Sequence, residues 1–196
     1  MTYSNNPYEI DLGLLLQPET VLERQLLQDP QFIQGLFWGT PRYGHPEGQV
    51  YKHITEVLAN IDRLAVPLPD RRKLRLIALV HDTFKYLEAR QVPRDWSRHH
   101  GMLARLFMES YTEDPVILDL IELHDEAYYC WRHIHLYQQP KKGARRLEQL
   151  LARLGNALQL YYLFFKCDTQ TGDKNPAPLL WFESHISGIS VIPSLR

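Results

Sequence analysis

Leu76-Ile77-Ala78-Leu79-Val80-His81-Asp82-Thr83-Phe84-Lys85 is the stretch on which the reading of this chain turns. Five apolar residues run straight into a histidine and an aspartate, and a lysine follows three positions later. Leu74, Ile77, Ala78 and His81 fall at i, i+3, i+4, i+7, so the spacing predicts a helix with Asp70 as its N-cap, ending by Pro93. His81 and Asp82 then lie inside that helix, next to its buried face. A buried aspartate is costly without a partner such as a cation. Working outward, the chain continues as helix on both sides. Leu22, Leu26, Leu27, Phe32, Ile33 and Phe37 predict an N-terminal helical pair broken by Pro30. Residues 39–48 hold two prolines and three glycines and read as loop. A helix is expected from near Pro46, with Val50, Ile54, Val57 and Leu58 on one face, ending before Pro67. Beyond the central stretch, helices are expected from Ser97 (a cap) to Tyr111 and from Pro115 to Trp131. A loop from His135 to Gly143 follows, then a long helix from Ala144 to Lys166 nicked at Gly155. A loop from Thr169 to Pro178 and a short piece at Leu180–Ile186 complete the chain. No alternating strand pattern of useful length occurs. The expected fold class is all-α, a single-domain helical bundle over residues 1–196.

Composition narrows the function. The 196 residues carry 22 Lys+Arg against 23 Asp+Glu, a net charge of −1. That balance supplies no field to hold a nucleic-acid backbone, so no stable duplex binding is expected. The longest apolar stretches, Leu76–Val80 and Tyr161–Phe165, fall far short of the ~20 residues that cross a bilayer. Cys130 and Cys167 are too few for a disulfide framework and read as reduced thiols, and residues 1–10 lack a secretory pattern; a cytoplasmic protein is expected.

Histidines are more informative. His53 lies in one expected helix, His81 and Asp82 in the next, His100 opens another, His124 lies in the one after, and Asp168 closes the long helix. Imidazole nitrogens and carboxylate oxygens together suit a divalent transition metal. This order resembles the HD-domain superfamily of metal-dependent phosphohydrolases. The resemblance rests on His53, on His81–Asp82 with Lys85 (HDTFK, similar to HDxxK), and on the late aspartate Asp168 in KCDTQTGDK. It covers an HD-type core of about residues 44–174. The HPEG at His45–Gly48 is similar to a lead-in seen in some members.

The resemblance implies one divalent ion on His53, His81, Asp82 and Asp168. A second is implied on His100 and His124, with Asp82 bridging, as in members that bind two. HGMLA at His100–Ala104 looks like the family's third histidine helix, with His99 competing for the role. Mn, Fe, Co, Ni, Zn and Mg all suit such a set to some degree. The implied activity is hydrolysis of a phosphomonoester or phosphodiester, with a nucleotide as the small-molecule substrate. The metal would lower the pKa of its water toward ~7 and polarise a phosphoryl oxygen. Asp82 would orient the attacking water and Lys85 would meet a phosphate oxygen. Because neutral imidazole binds metal, activity is expected to fall below about pH 6.

Blander readings stand beside these. His53 alone reads as a core histidine, and Asp168 could face water, with Asp173 as its nearest rival. A second His-Asp pair, His124–Asp125, shows how cheap the dipeptide is. His133, His135 and His185 read as surface residues. The clusters Arg71–Arg72–Lys73 and Lys141, Lys142, Arg145, Arg146 read as solvated, with a local phosphate-holding patch as the alternative. A helical module that binds a nucleotide or protein through a structural metal, without turnover, is the alternative to an enzyme. An iron oxygenase, as in a few two-metal relatives, is a third reading.

Overall fold

The computed structural model describes residues 10–89, 92 and 94–195. Eleven α-helices carry the described chain: α1 (Leu12–Leu16), α2 (Val21–Leu26), α3 (Pro30–Leu36), α4 (Val50–Asp62), α5 (Leu68–Val80), α6 (His100–Met108), α7 (Pro115–Leu123), α8 (Glu126–Trp131), α9 (Pro140–Leu154), α10 (Leu158–Thr169) and α11 (Ala177–His185). Single 3₁₀ turns lie at Lys85–Leu87, Trp96–Arg98 and Gly155–Ala157, and a π-turn at Arg132–Leu136. Among the described residues there is no strand, and the protein is all-α, as expected.

α10 is the axis of the bundle. Leu160 to Cys167 are buried without interruption, so this helix is covered on every side. α4, α5, α9 and α11 pack around it, while α6 and α7 pack on each other and α7 also lies on α5. The N-terminal helices are clamped to α5 by a buried ion pair. Arg75 Nη2 lies 3.0 Å from Glu23 and also donates to the carbonyls of Leu16 and Gln17. Removing one partner of such a pair costs about 3–5 kcal/mol, because the other charge stays buried. Pro30 does interrupt the N-terminal region: it opens α3 at N1, with Asp29 capping the first turn. The nick at Gly155 is also present, separating α9 from α10.

Several expected boundaries move. Asp70 lies in the first turn of α5, and Pro67 occupies the cap position. The helix opening near Pro46 starts instead at Val50, after Gln49. α5 stops at Val80, well before Pro93, so His81 and Asp82 sit at its C-terminal end and not inside it. Two side chains satisfy carbonyls there: Thr83 Oγ1 donates to Leu79 and His81 Nδ1 to Ala78. Ser97 does not cap the next helix; His99 does, its Nδ1 accepting from the Gly101 amide. The expected Pro115–Trp131 helix breaks at His124–Asp125. The buried Tyr161 hydroxyl fills the break, accepting from the Ala127 amide and donating to the Leu123 carbonyl, both within 3.1 Å. The expected loop at 135–143 is shorter, because α9 begins at Pro140.

Candidate metal centre

Both His-Asp dipeptides therefore stand at helix C-termini, where the ladder ends and side chains are free to point inward. In each, the histidine Nδ1–H donates to the carbonyl three residues back: His81 to Ala78 at 2.9 Å and His124 to Ile121 at 2.8 Å. That bond turns Nε2 toward the interior, the arrangement that fixes the tautomer of a metal-ligating histidine.

The Nε2 atoms meet in two pairs. His53, from α4, faces His81 at 3.3 Å, and His100, from α6, faces His124 at 3.1 Å. Asp82 stands between the pairs with one oxygen for each. Its Oδ2 is 3.8 Å from His53 and 3.7 Å from His81; its Oδ1 is 3.4 Å from His100 and 3.5 Å from His124. Asp168, at the end of α10, puts Oδ1 2.9 Å from His53 and 3.6 Å from His81. All four histidines and Asp82 are buried. The six expected ligand residues are thus brought to one place. Ligand atoms of His53, His81 and Asp82 lie within mutual reach of one cation, as do those of Asp82, His100 and His124.

His100 and His99 part company here. His100 Nε2 looks at Asp82 while its Nδ1 is 2.7 Å from Glu88. His99 spends its Nδ1 on capping α6, and its Nε2 meets the Tyr129 hydroxyl at 3.2 Å. Asp173 accepts from the Gly44 amide and holds that loop, so it does not displace Asp168. Three groups escaped the sequence reading. Asp125 brings Oδ2 to 3.4 Å from His100 and 3.7 Å from His124; its place after His124 was the available signal. Glu88 and Lys174 stand behind His100 and Asp168, and nothing in their spacing marked them. Glu47 of the HPEG segment accepts from His45 at 2.9 Å and lies 3.6 Å from His53 Nδ1. His133, expected at the surface, is buried, because the π-turn folds it against Tyr137. His135 and His185 are exposed as expected. Lys141, Lys142 and Arg145 are exposed, whereas Arg146 is half-buried over Trp96 and paired with Glu126.

Charge separates the two pairs. Burial, with Lys174 nearby, pushes His53 down to about 4. His124 moves the other way, to about 9: burial opposes its charge, but Asp125 and Asp82 outweigh it. Burial would also raise Asp82 and Asp168, yet both are held well below the carboxylate range, Asp82 chiefly by Lys85 and His81, Asp168 by Lys174 and His53. Lys85 is raised despite burial, by Asp82 and Asp125, so its ammonium persists at neutral pH.

The profile of the HD domain matches residues 50–155. The chain belongs to the HD domain family. That span holds His53, His81, Asp82, His100 and His124, while Asp168 lies beyond it. No curated protein and no solved structure matches the chain. The superfamily is one of metal-dependent phosphohydrolases, and HD domains bind divalent metals. The donor set here fits such an ion. Three of the four imidazoles use Nδ1 on a carbonyl or carboxylate, leaving Nε2 as the converging atom. In a metal-free chain, His124 must keep a proton where His100 faces it, and a cation resolves that crowding of donors. No helix among the described residues is long and apolar enough to cross a membrane.

Proposed function

We propose that this HD-domain protein is a metal-dependent phosphohydrolase acting on a phosphomonoester or phosphodiester, with a nucleotide as its small-molecule substrate. The observation that carries the reading is the division of Asp82 between two histidine pairs, with Lys85 on the same carboxylate. His53, His81, Asp82 and Asp168 would hold one cation, and Asp82, His100, His124 and Asp125 a second. Bound there, a divalent cation supplies Lewis acidity for a phosphoryl oxygen and for water.

The protein's own groups do the remaining work. A cavity of about 230 Å³ opens onto Asp82, Lys85, Asp125, Asp168 and Lys174. Two lysines in one small cavity offset the charge of an entering phosphate and of its transition state. Lys85 is the closer to the centre, since it already contacts Asp82. Lys174, 2.8 Å from Asp168 Oδ1, fixes that carboxylate. Asp82 and Asp125 stay ionised and can only accept, so they orient water by taking its hydrogen bonds. Burial of the histidines keeps bulk water from competing for the site.

The test is elemental analysis of protein purified without added metal and then loaded, alongside His81→Ala and His124→Ala. The expected result is up to two ions per chain, with each variant losing the ion of its own pair. Phosphoester hydrolysis should disappear with chelator while helicity, read by circular dichroism, survives. Absence of bound metal under every loading condition, or loss of helicity with the metal, would replace the enzyme with a helical binding module.

A further inference from the structure

The centre opens on two sides. One lobe is the cavity of about 230 Å³ just described; a second, of about 270 Å³, lies on the other side of Lys85 and Asp125, which line both. The walls come in sequence-adjacent pairs. Arg42 lines the second lobe and Tyr43 the first; Tyr129 lines the second and Tyr128 the first. The loop at 39–48 and helix α8 thus each send neighbouring side chains to opposite sides of one ridge.

The lobes differ in chemistry. The first presents the open ring of Tyr43, at 83% exposure, and the half-exposed ring of Tyr128, which Arg132 covers and Trp131 packs against, and the Asn175 side chain lines it too. That combination suits a planar heterocycle, stacked and read by an amide. The second presents three cations, Arg42, Arg94 and Lys85, against two carboxylates, Glu88 and Asp125. Arg42 has no carboxylate partner among the described residues, and its guanidinium lies 6.0 Å from the Trp38 ring. Arg94 is held 3.3 Å from Glu88 and donates to the Tyr129 hydroxyl. Guanidinium groups bind phosphate in forked geometry, and Arg42 has that fork uncommitted to a carboxylate.

We propose that the substrate is two-armed: its scissile phosphoryl group sits at Lys85, bonded on one side to a nucleoside in the Tyr43–Tyr128 lobe and on the other to further phosphate in the Arg42–Arg94 lobe. A simple monoester leaves the second lobe empty. The bond cleaved is then the anhydride bond of a phosphoryl group that is also esterified to the nucleoside, in place of the ester bond of the general phosphohydrolase reading. The oxygen of water bonds to phosphorus, and the bridging P–O bond breaks with its electron pair going to the departing phosphate. The two protons of water are shared between products and solvent, giving a nucleoside monophosphate and phosphate or pyrophosphate. This rests on the phosphohydrolase reading, and the test keeps the two separable.

Four probes are offered to metal-loaded protein: adenosine 5′-triphosphate, adenosine 5′-monophosphate, inorganic pyrophosphate and bis(p-nitrophenyl) phosphate. The expected result is a kcat/KM for the triphosphate at least tenfold above the monophosphate and above pyrophosphate, with the monophosphate as product. Arg42→Ala and Arg94→Ala should shrink that preference at least fivefold. Binding gives a second readout: adenosine 5′-(α,β-methylene)diphosphate should quench the tryptophan fluorescence of the metal-free protein, through Trp38 in the second lobe, with a Kd at least tenfold below that of the monophosphate. Arg42→Ala should erase the difference. Equal use of the triphosphate and monophosphate, or release of the diphosphate in place of the monophosphate, overturns the two-armed substrate while hydrolysis itself stands. Failure on all four probes removes the phosphohydrolase reading and this inference with it.

Discussion

His81–Asp82 and His124–Asp125 are the same dipeptide in the same local setting, yet they do unequal work. Each ends a helix, and each histidine is turned by a bond to the carbonyl three residues earlier. The aspartates part ways. Asp82 is buried and gives one oxygen to each histidine pair. Asp125 is partly exposed, its side chain at 28%, and gives Oδ2 to one pair only. A dipeptide therefore says little by itself. What distinguishes the copies is the helix across from them: α10 delivers Asp168 to the first, and α6 delivers His100 to the second.

The largest expected effect breaks this comparison at its hinge. Asp82→Ala should lose both ions and lower turnover on the order of 10³-fold, the scale for removing a group that organises transition-state charge. Asp125→Ala should retain the ion at His53 and His81 and lower turnover by a factor roughly tenfold to a hundredfold smaller. Elemental analysis and kcat on the same preparations decide it; equal losses in both would mean that the two dipeptides are equivalent.

A smaller effect sharpens the second half alone. Glu88 holds the Nδ1 of His100, and Arg94 holds Glu88. Replacing such an outer carboxylate typically costs about 10–100-fold in metal affinity. Glu88→Gln should therefore weaken the ion at His100 and His124 by that factor in a competition titration, leaving the ion at His53 and His81 in place. Weakening of both would show that the pairs are not independent.

The halves also carry opposite proton linkage when metal is absent. His53, faced by Lys174, Asp168, Asp82, His81 and Glu47, lies near 4 against about 6.5 unfolded. As pH falls from 6.5 to 4, the unfolded chain gains a proton that the folded chain refuses, so stability falls by about 1.4 kcal/mol per pH unit. His45 and His99, near 4 and 3 through burial, add to the same limb. His124, faced by Asp125, Asp82, His100 and His99, lies near 9. Its contribution is complete below 6.5 and is lost as pH rises through 9. Urea unfolding of chelator-treated protein should show maximal stability near pH 6.5, and a monotonic profile between 4 and 9 would contradict the assignment of opposite charge to the halves.

The sequence exposed the centre more fully than the fold's joints. His53, His81, Asp82, His100, His124 and Asp168 converge, because helical periodicity puts apolar neighbours around them and so drives them inward. Helix ends were less legible. The expected helix runs past His81 because its only sequence stop is Pro93; the actual stop comes from side chains bonding to carbonyls, which periodicity does not register. The break at His124 depends on Tyr161, 37 residues away in the chain, and no local signal announces such a partner. Glu88 was invisible for the same reason, since its role exists only across the gap to His100.

The smallest effect concerns two glycines that seat the two dipeptides. A Cβ on Gly35 would lie 1.9 Å from the Thr83 carbonyl oxygen, and one on Gly101 would lie 2.6 Å from that of Glu122. Both neighbours are backbone, which cannot swing aside as a side chain can. Gly35 thus lets α3 press on the turn just after Asp82, and Gly101 lets α6 press on α7 just before His124. Overpacking at such contacts costs roughly 1–3 kcal/mol, about 2–12 °C in Tm for a chain of this size. The consequences for metal should differ. Gly101→Ala displaces His100 from His124 and should weaken only the ion of that pair. Gly35→Ala, whose clash is the closer and whose cost in Tm should be the larger, displaces Asp82, which serves both, and should weaken both ions. Loss of one ion with the other left at full affinity in Gly101→Ala, and weakening of both in Gly35→Ala while each variant stays folded at the assay temperature, is the result that ties Asp82's position, rather than general stability, to the integrity of the whole centre.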